Sequence, residues 1–302
     1  MNIKDLEYFR IVCQQKSITK AAHLLYMTPQ GLSRIMKNVE NELDAVLFVR
    51  TGAGIQLTES GSYLYGQLPA LLDSYQGICS EIRCIEQRKN HEIDLLSAYG
   101  ILRLVTPECL EYFRRQYPEI QLHYREYPDR QVERMFQEGE GNVAFLVGPG
   151  SQSHMQRTFM EKYEIKLLVN RDHPLAERTF VSIQDLKGER LYIESSEFHI
   201  HQLILEKCRQ AGFEPDIAFE TSGFSLCHRM VQKNKGISVT VDVIFDDMGQ
   251  SDTVMIPFEE GPFYWETWML TREGELPNPD VMLFHRHVTR WMKEIGEGKI
   301  RR

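Results

Sequence analysis

Ser17-Ile18-Thr19-Lys20-Ala21-Ala22-His23-Leu24-Leu25-Tyr26-Met27-Thr28-Pro29-Gln30-Gly31-Leu32-Ser33-Arg34 is the stretch on which the fold turns. Ser17 offers a hydroxyl to open a short helix whose compact apolar side is Ala21, Ala22, Leu24 and Leu25. Thr28 before Pro29 repeats the signal, with a capping hydroxyl followed by proline at the first helical position, where its missing N–H is no loss. That helix continues through Leu32, Met36, Val39 and Leu43. Upstream, Leu6, Phe9 and Cys13 are spaced three and four, which predicts another helix. Downstream, Leu47-Phe48-Val49-Arg50 and Ile55-Gln56-Leu57 flank Thr51-Gly52-Ala53-Gly54, predicting strand, glycine-containing turn, strand.

Beyond this head, Thr58 to about Arg88 predicts one long helix, with Thr58-Glu59-Ser60-Gly61 as its cap. Leu64, Leu68, Leu71, Tyr75, Ile78, Ile82 and Ile85 alternate spacings of four and three, the seam of a coiled coil that pairs two chains. Pro69 falls inside it and predicts a kink or a local break. Gln87 to Glu92 is polar and reads as a connector.

Residues 91–302 alternate strand-like and helix-like runs. Strands are predicted at 93–98, 122–126, 143–147, 165–169, 191–193, 217–220, 237–241, 254–257 and 265–271. Helices are predicted near 107–116, 129–138, 199–211, 224–233 and 279–295. Such alternation points to α/β units with mostly parallel sheets. The chain as a whole is therefore α+β and multidomain, as its 302 residues suggest.

Composition narrows the function. Hydrophobic residues are 42% and charged residues 26%, ordinary for a globular protein. No apolar run reaches the ~18 residues of a membrane span, and Lys4, Asp5, Glu7 and Arg10 do not make a secretory leader. Six cysteines without a C-x-x-C pair read as the reduced thiols of a cytoplasmic protein. The net charge of −8 is uneven, because residues 1–60 hold seven Lys/Arg against six Asp/Glu, a net of +1, leaving −9 for the rest. An acidic body is repelled by phosphates, so DNA contact is expected in the head alone.

The head resembles the helix-turn-helix of LysR-type transcriptional regulators. The resemblance is carried by Met1-Asn2-Ile3, Leu6, Tyr8-Phe9, Ser17 to Ala22, Leu24, Leu32-Ser33, Glu40, Leu43, Leu47-Phe48, Arg50 and Leu57 to Gly61. Tyr117-Pro118 and His173-Pro174-Leu175-Ala176 before Leu186 resemble landmarks of that family's effector domain. The chain departs from the family pattern at Pro29-Gln30-Gly31, at Asp44 where glycine is common, and at Asn142 where aspartate is usual.

The resemblance implies a winged helix-turn-helix at 1–58, a linker and dimerisation helix at 59–90, and a two-lobed, periplasmic-binding-protein-like α/β effector domain at 91–302. Its lobes would be 91–162 with 266–302, and 163–265. Thr19, Thr28, Gln30, Gly31, Ser33, Arg34 and Lys37 would meet duplex DNA, with Arg50 and Thr51 on the wing. Glutamine can pair with adenine and arginine with guanine, while Thr28, Ser33 and Lys37 suit phosphates. Ser97, Tyr99, Gly100, Glu194, Ser195, Ser196, Phe198, Thr221, Ser222, Thr240 and Asp242, all near strand ends, would line the cleft for a small-molecule effector. A homodimer or homotetramer is implied, with RNA polymerase as a further partner and no cofactor.

Other motifs carry little. His199/His201 and His285/His287 are spaced by two, which is unfavourable for metal on a helix. Gly52-Ala53-Gly54 and Gly148-Pro149-Gly150 lack the continuation of a nucleotide loop. Cys208 and Cys227 invite a redox reading, since peroxide-sensing family members use effector-domain cysteines, but only Lys207, Arg209 and Arg229 nearby are basic. An enzyme or solute-binding protein with a helix-turn-helix appendage would need a catalytic constellation or a leader; neither is present. A nucleoid-type protein would not need so long an α/β body.

Overall fold

In the computed structural model the chain forms two compact units, Met1–Cys79 and Ser80–Arg302. Residues 1–51, 54–148, 155–248, 252–272 and 278–300 are described, apart from the side chains of Arg50, Thr51 and Cys84. Gly52, Ala53, Pro149 and Gly150, and the side chains of the two wing residues expected to meet DNA, thus lie outside the described part.

The first unit opens with α1 (Ile3–Gln15), whose start is closed by a reciprocal capping box between Asn2 and Asp5. Then come α2 (Ile18–Leu24), capped by Ser17, and α3 (Pro29–Glu42), capped by Thr28. Strands β1 (Phe48–Thr51) and β2 (Gly54–Leu57) form an antiparallel hairpin. The core joins Leu6, Phe9, Val12, Ala21, Ala22, Leu32, Met36, Val39 and Leu47 to Leu68 and Leu72 of α4 (Glu59–Lys89). Val12 is buried and Cys13 only half so, which rotates the expected face of α1 by one residue. Leu24 is exposed, and Leu43 is the C-cap of α3.

Two glycines are required by close approaches. Gly54 has φ +122°, and a Cβ there would lie 2.7 Å from the Lys16 carbonyl oxygen, which also accepts from Ile55 N. At Gly61 a Cβ would come within 2.1 Å of the Leu47 carbonyl oxygen. The Glu40 carboxylate holds the hairpin from the other side, accepting from Leu47 N at 2.8 Å and Phe48 N at 3.3 Å.

Helix α4 is continuous through Pro69, so the expected local break does not occur. Pro69 is exposed, and the carbonyl that loses its donor can turn to water. The expected seam also divides. Leu68 is enclosed in the head core, which needs a fourth helix as its lid, whereas Leu71, Tyr75, Ile78 and Ile82 are exposed at 42, 45, 59 and 57%.

The second unit is built on one seven-stranded sheet in the order β10-β6-β11-β5-β3-β4, with β9 also on β6. Its strands are β3 (Glu92–Ala98), β4 (Gln121–Tyr127), β5 (Val143–Val147), β6 (Met155–Asn170), β9 (Ser238–Thr240), β10 (Thr253–Ile256) and β11 (Phe263–Arg272). A parallel pair, β7 (Arg190–Glu194) and β8 (Asp216–Thr221), is tied to the strand region of β9 by a bridge from Leu191 to Ile237. The helices are α5 (Ile101–Val105), α6 (Pro107–Gln116), α7 (Asp129–Gln137), α8 (His199–Gln210), α9 (Phe224–Gln232), α10 (Asp242–Asp247) and α11 (Pro279–Gly296).

The expectation of mostly parallel sheets is corrected. Only β4-β3-β5 run parallel in the large sheet; β11, β6, β10 and β9 join it through antiparallel pairs. The cause is β6, sixteen residues long. Its first part pairs with β11, and its last residues pair with β9 and β10, so it leaves one group of strands for the other. Chain segment 155–170 thus leads outward and 263–272 leads back, side by side.

Candidate nucleic-acid interface and ligand cleft

In the first unit, Ser17, Ile18, Thr19, Pro29, Gln30, Ser33, Arg34, Lys37, Gly54 and Ile55 line one open concavity. Five of the residues expected to meet DNA are therefore brought together: Thr19, Gln30, Ser33, Arg34 and Lys37. Gln30, Arg34 and Lys37 are exposed, while Leu32, Met36 and Val39 turn the other face of α3 into the core. Thr28 and Gly31 stand at the helix start rather than in the concavity. The Thr28 hydroxyl oxygen accepts from Gly31 N at 3.1 Å, so it serves first as the cap. The free N–H groups and partial positive charge of a helix start favour phosphate nearby. The backbone of Arg50 and Thr51 lies in β1 of the hairpin. Ser17 and Ile55 line the same concavity, although the sequence marks Ser17 only as a cap and Ile55 only as a strand residue.

In the second unit, Asp129, Glu194, Phe198, Ile200, Phe224, Val239, Thr240, Val241, Ile244 and Trp265 enclose a cavity of about 10 Å³. Of the expected effector residues, Glu194, Phe198 and Thr240 are in its wall. Tyr99 stacks on Phe198 with ring centroids 6.2 Å apart, and Gly100 (φ +91°) backs onto the Phe224 ring. The others are not gathered there. Ser97 is fully buried and its hydroxyl donates to the Ala98 carbonyl. Ser195 is half-buried, and Ser196 and Ser222 are exposed. The Thr221 hydroxyl accepts from Gly223 N within a turn, and Asp242 is ion-paired to Lys166 at 2.9 Å.

The acids dominate the cleft. Asp129 opens α7, yet its carboxylate accepts from His199 N, at the start of α8, at 2.9 Å. Burial pushes its pKa up to about 7, although that hydrogen bond opposes the shift. Glu194 ends β7; burial, with a smaller contribution from nearby Asp129, pushes it up to about 7 as well. Its Oε2 is buried and has no hydrogen-bond partner. Around them, Arg134 pairs with Glu197 at 2.7 Å, Arg103 pairs with Asp247 at 2.6 Å, and His201 donates from Nδ1 to the Glu194 carbonyl. His228 Nε2 lies 3.0 Å from the Thr240 hydroxyl, and burial lowers its pKa to about 4, which keeps it neutral.

Asp129, Phe224 and Trp265 were missed in the sequence. Asp129 and Phe224 each follow a strand closely, the criterion that selected Ser97 and Thr221, and could have been found by it. The paired histidines have separate partners: His285 with Thr158, His287 with the Cys109 carbonyl. Among the described residues no group of three or more His, Cys, Asp or Glu is arranged to hold a metal. Cys208 and Cys227 are buried, and burial raises both thiols, Cys208 to about 11, which disfavours the thiolate. Among the described residues no helix is long and apolar enough to cross a membrane.

A helix-turn-helix head, a long helix and a two-part α/β body with a closed polar-and-aromatic cleft define a ligand-responsive transcriptional regulator. Comparison with known proteins agrees. The family described as "Bacterial regulatory helix-turn-helix protein, lysR family" matches residues 3–62, and "LysR substrate binding domain" matches residues 87–293. The chain belongs to the LysR family of transcriptional regulators and is a DNA-binding regulator with a substrate-binding domain.

The chain is 28% identical over 273 residues to the uncharacterized HTH-type transcriptional regulator YwbI of Bacillus subtilis (strain 168), covering 90% of this chain and 91% of that protein. Among solved structures it resembles full-length BenM (21% identity, TM-score 0.56, 99% of this chain and 98% of that one). It also resembles full-length CbnR complexed with its target DNA (18% identity, TM-score 0.52, 97% and 100%).

Proposed function

We propose that the head reads duplex DNA through the concave face of α3, with Gln30 and Arg34 toward base edges, and Thr19, Thr28, Gly31, Ser33 and Lys37 toward phosphates. Arg50 and Thr51 of the wing strand track the adjacent backbone. The observation that carries this reading is the gathering of Thr19, Gln30, Ser33, Arg34 and Lys37 on one open face beside the hairpin. The similarity to CbnR, whose structure was solved with its target DNA, supports the same placement.

The working division is a head at 1–58, a linker helix at 59–90, and a body at 91–302 whose lobes comprise 91–162 with 266–302, and 163–265. The exposed apolar stripe Leu71, Tyr75, Ile78 and Ile82 pairs two copies, presenting two heads to a two-fold-related DNA site. The cleft of Glu194, Phe198 and Thr240, flanked by Tyr99 and Gly100, holds the effector. The protein acts in the cytoplasm, on DNA that RNA polymerase also uses.

The test is selection from a random DNA pool with the full chain. The parent should enrich a two-fold-related sequence. Gln30→Ala with Arg34→Ala should still retain DNA but lose that enrichment. Enrichment of the same sequence by the double variant would remove α3 from the reading role.

A further inference from the structure

We propose that the cleft of the second unit is built for a primary ammonium group, so that the regulator responds to an organic amine. The inference rests on the reading of this cleft as the effector site. Three observations carry it. Among the described residues, the ionisable groups in the wall are two acids, Asp129 and Glu194. Glu194, a wall residue, is 2% exposed, and its Oε2 is buried without a hydrogen-bond partner. The remaining wall includes Phe198, Phe224 and Trp265, whose ring faces attract cations.

Among the described residues no basic side chain is in the wall to receive an anion. Of the nearby cations, Lys166 pairs with Asp242, Arg103 with Asp247 and Arg134 with Glu197, while Arg130 is exposed and outside the wall. His201 donates to a backbone carbonyl, and His228 is bonded to Thr240. His199 offers Asp129 its backbone N–H, and burial disfavours the charged form of its ring. A pair of buried acids with no cation between them is costly, even with the His199 N–H on Asp129. An ammonium group resolves it, donating three hydrogen bonds where the acids have acceptors to spare. The cavity of about 10 Å³ matches one water, and an ammonium headgroup is of that size. The rest of a ligand would enter as Tyr99, Phe198 and Phe224 move aside.

Binding of a cation favours the ionised acids, so affinity should rise as pH rises through their titration. A carboxylate ligand would do the opposite, because it needs them protonated.

The experiment is calorimetric titration of the full chain, with melting curves alongside. The probes are ammonium chloride, benzylamine and putrescine, set against benzyl alcohol, benzoate, succinate and potassium chloride at matched ionic strength. At least one amine should bind and raise the melting temperature, with affinity increasing about tenfold or more between about pH 6 and about pH 8. Glu194→Gln should weaken that binding at least about tenfold while melting cooperatively, and Asp129→Asn should weaken it while keeping the acceptor for His199 N.

Amines that bind both variants as they bind the parent sit elsewhere, and the proposal fails. Equal binding of potassium and ammonium reduces the site to a charge trap and overturns the ammonium assignment. If benzoate or succinate binds and Glu194→Gln alters that binding, the cleft stands as effector site but the ligand class is wrong. If no probe binds, the ammonium site is rejected. The cleft reading is then judged separately, by whether Thr240→Ala or Phe198→Ala changes promoter response in cells.

Discussion

The carboxylate of Asp129, at the head of α7, caps the backbone of His199, at the head of α8, across seventy residues of sequence at 2.9 Å. Arg130 N donates to the Glu197 carbonyl beside it, and Arg134 meets the Glu197 carboxylate, so two helix starts are laced together by three contacts. The cap needs an acceptor, which a neutral carboxyl or an amide also supplies. Its charge is what the buried setting resists.

That sets the pH dependence of stability. Asp129 and Glu194 have folded pKa values raised to about 7, above their unfolded values near 4. Between those values the folded state holds more protons than the unfolded one, so stability falls as pH rises through that window. The penalty is on the order of 4 kcal/mol per group when fully expressed. Buried His228, lowered to about 4, gains stability as pH rises to about 6.5, so the acids are read by difference: from about pH 5 to about pH 8 the melting temperature of the ligand-free parent should fall relative to Asp129→Asn and to Glu194→Gln, each of which melts higher than the parent at the upper end. A parent that does not fall relative to either variant would refute the assignment.

At the DNA face, Arg34→Ala should weaken binding to the selected site more than to random DNA, by about 1–3 kcal/mol for a lost base contact. Lys37→Ala should weaken both alike and reduce the slope of log K against log salt by about one. Fluorescence anisotropy at several salt concentrations separates the two. An equal loss on both DNAs for Arg34→Ala moves Arg34 to the phosphates.

Ile78 is 59% exposed on the stripe of α4, so Ile78→Asp should leave the head folded and abolish pairing of two chains. Sedimentation should show monomers, with DNA affinity reduced as the second head is lost. Full dimers would place the interface elsewhere. Leu68→Ala makes the contrasting case: Leu68 is fully buried in the head core, and its loss should cost about 2–5 kcal/mol of stability.

Gly61→Ala should be more damaging than any surface change, because its Cβ has only 2.1 Å to the Leu47 carbonyl oxygen, and backbone on both sides must shift. The expected sign is loss of the cooperative melting transition of the head, read by circular dichroism on the full chain, with the body's transition retained. Unchanged melting would mean that α4 can move off the hairpin freely.

Much of this architecture is local and could be read in the chain. Thr28-Pro29 marks the start of α3, and Pro107 and Gln116 bound α6 as expected. What escaped was non-local. The first half of β6, Met155 to Glu164, is rich in charge and becomes strand through pairing with β11. Strand direction leaves no local mark, hence the wrong expectation of parallel sheets. Helix α10 has six residues, too few for a periodic signal. In the cleft, polar residues at strand ends were found, but nothing in sequence tells Ser196, left exposed, from Glu194, which is enclosed. Asp129 read as the start of its own helix, and its role as the cap of another depends on tertiary folding.

Segments 155–165 and 263–272 are paired antiparallel along their length, with Met160 left over where the register shifts between Thr267 and Trp268. Such an irregularity bends the strand and increases local twist. Two crossings hydrogen-bonded to each other cannot flex independently. A load that bends or twists one strand is therefore carried by its partner as well, and the ribbon answers as a unit.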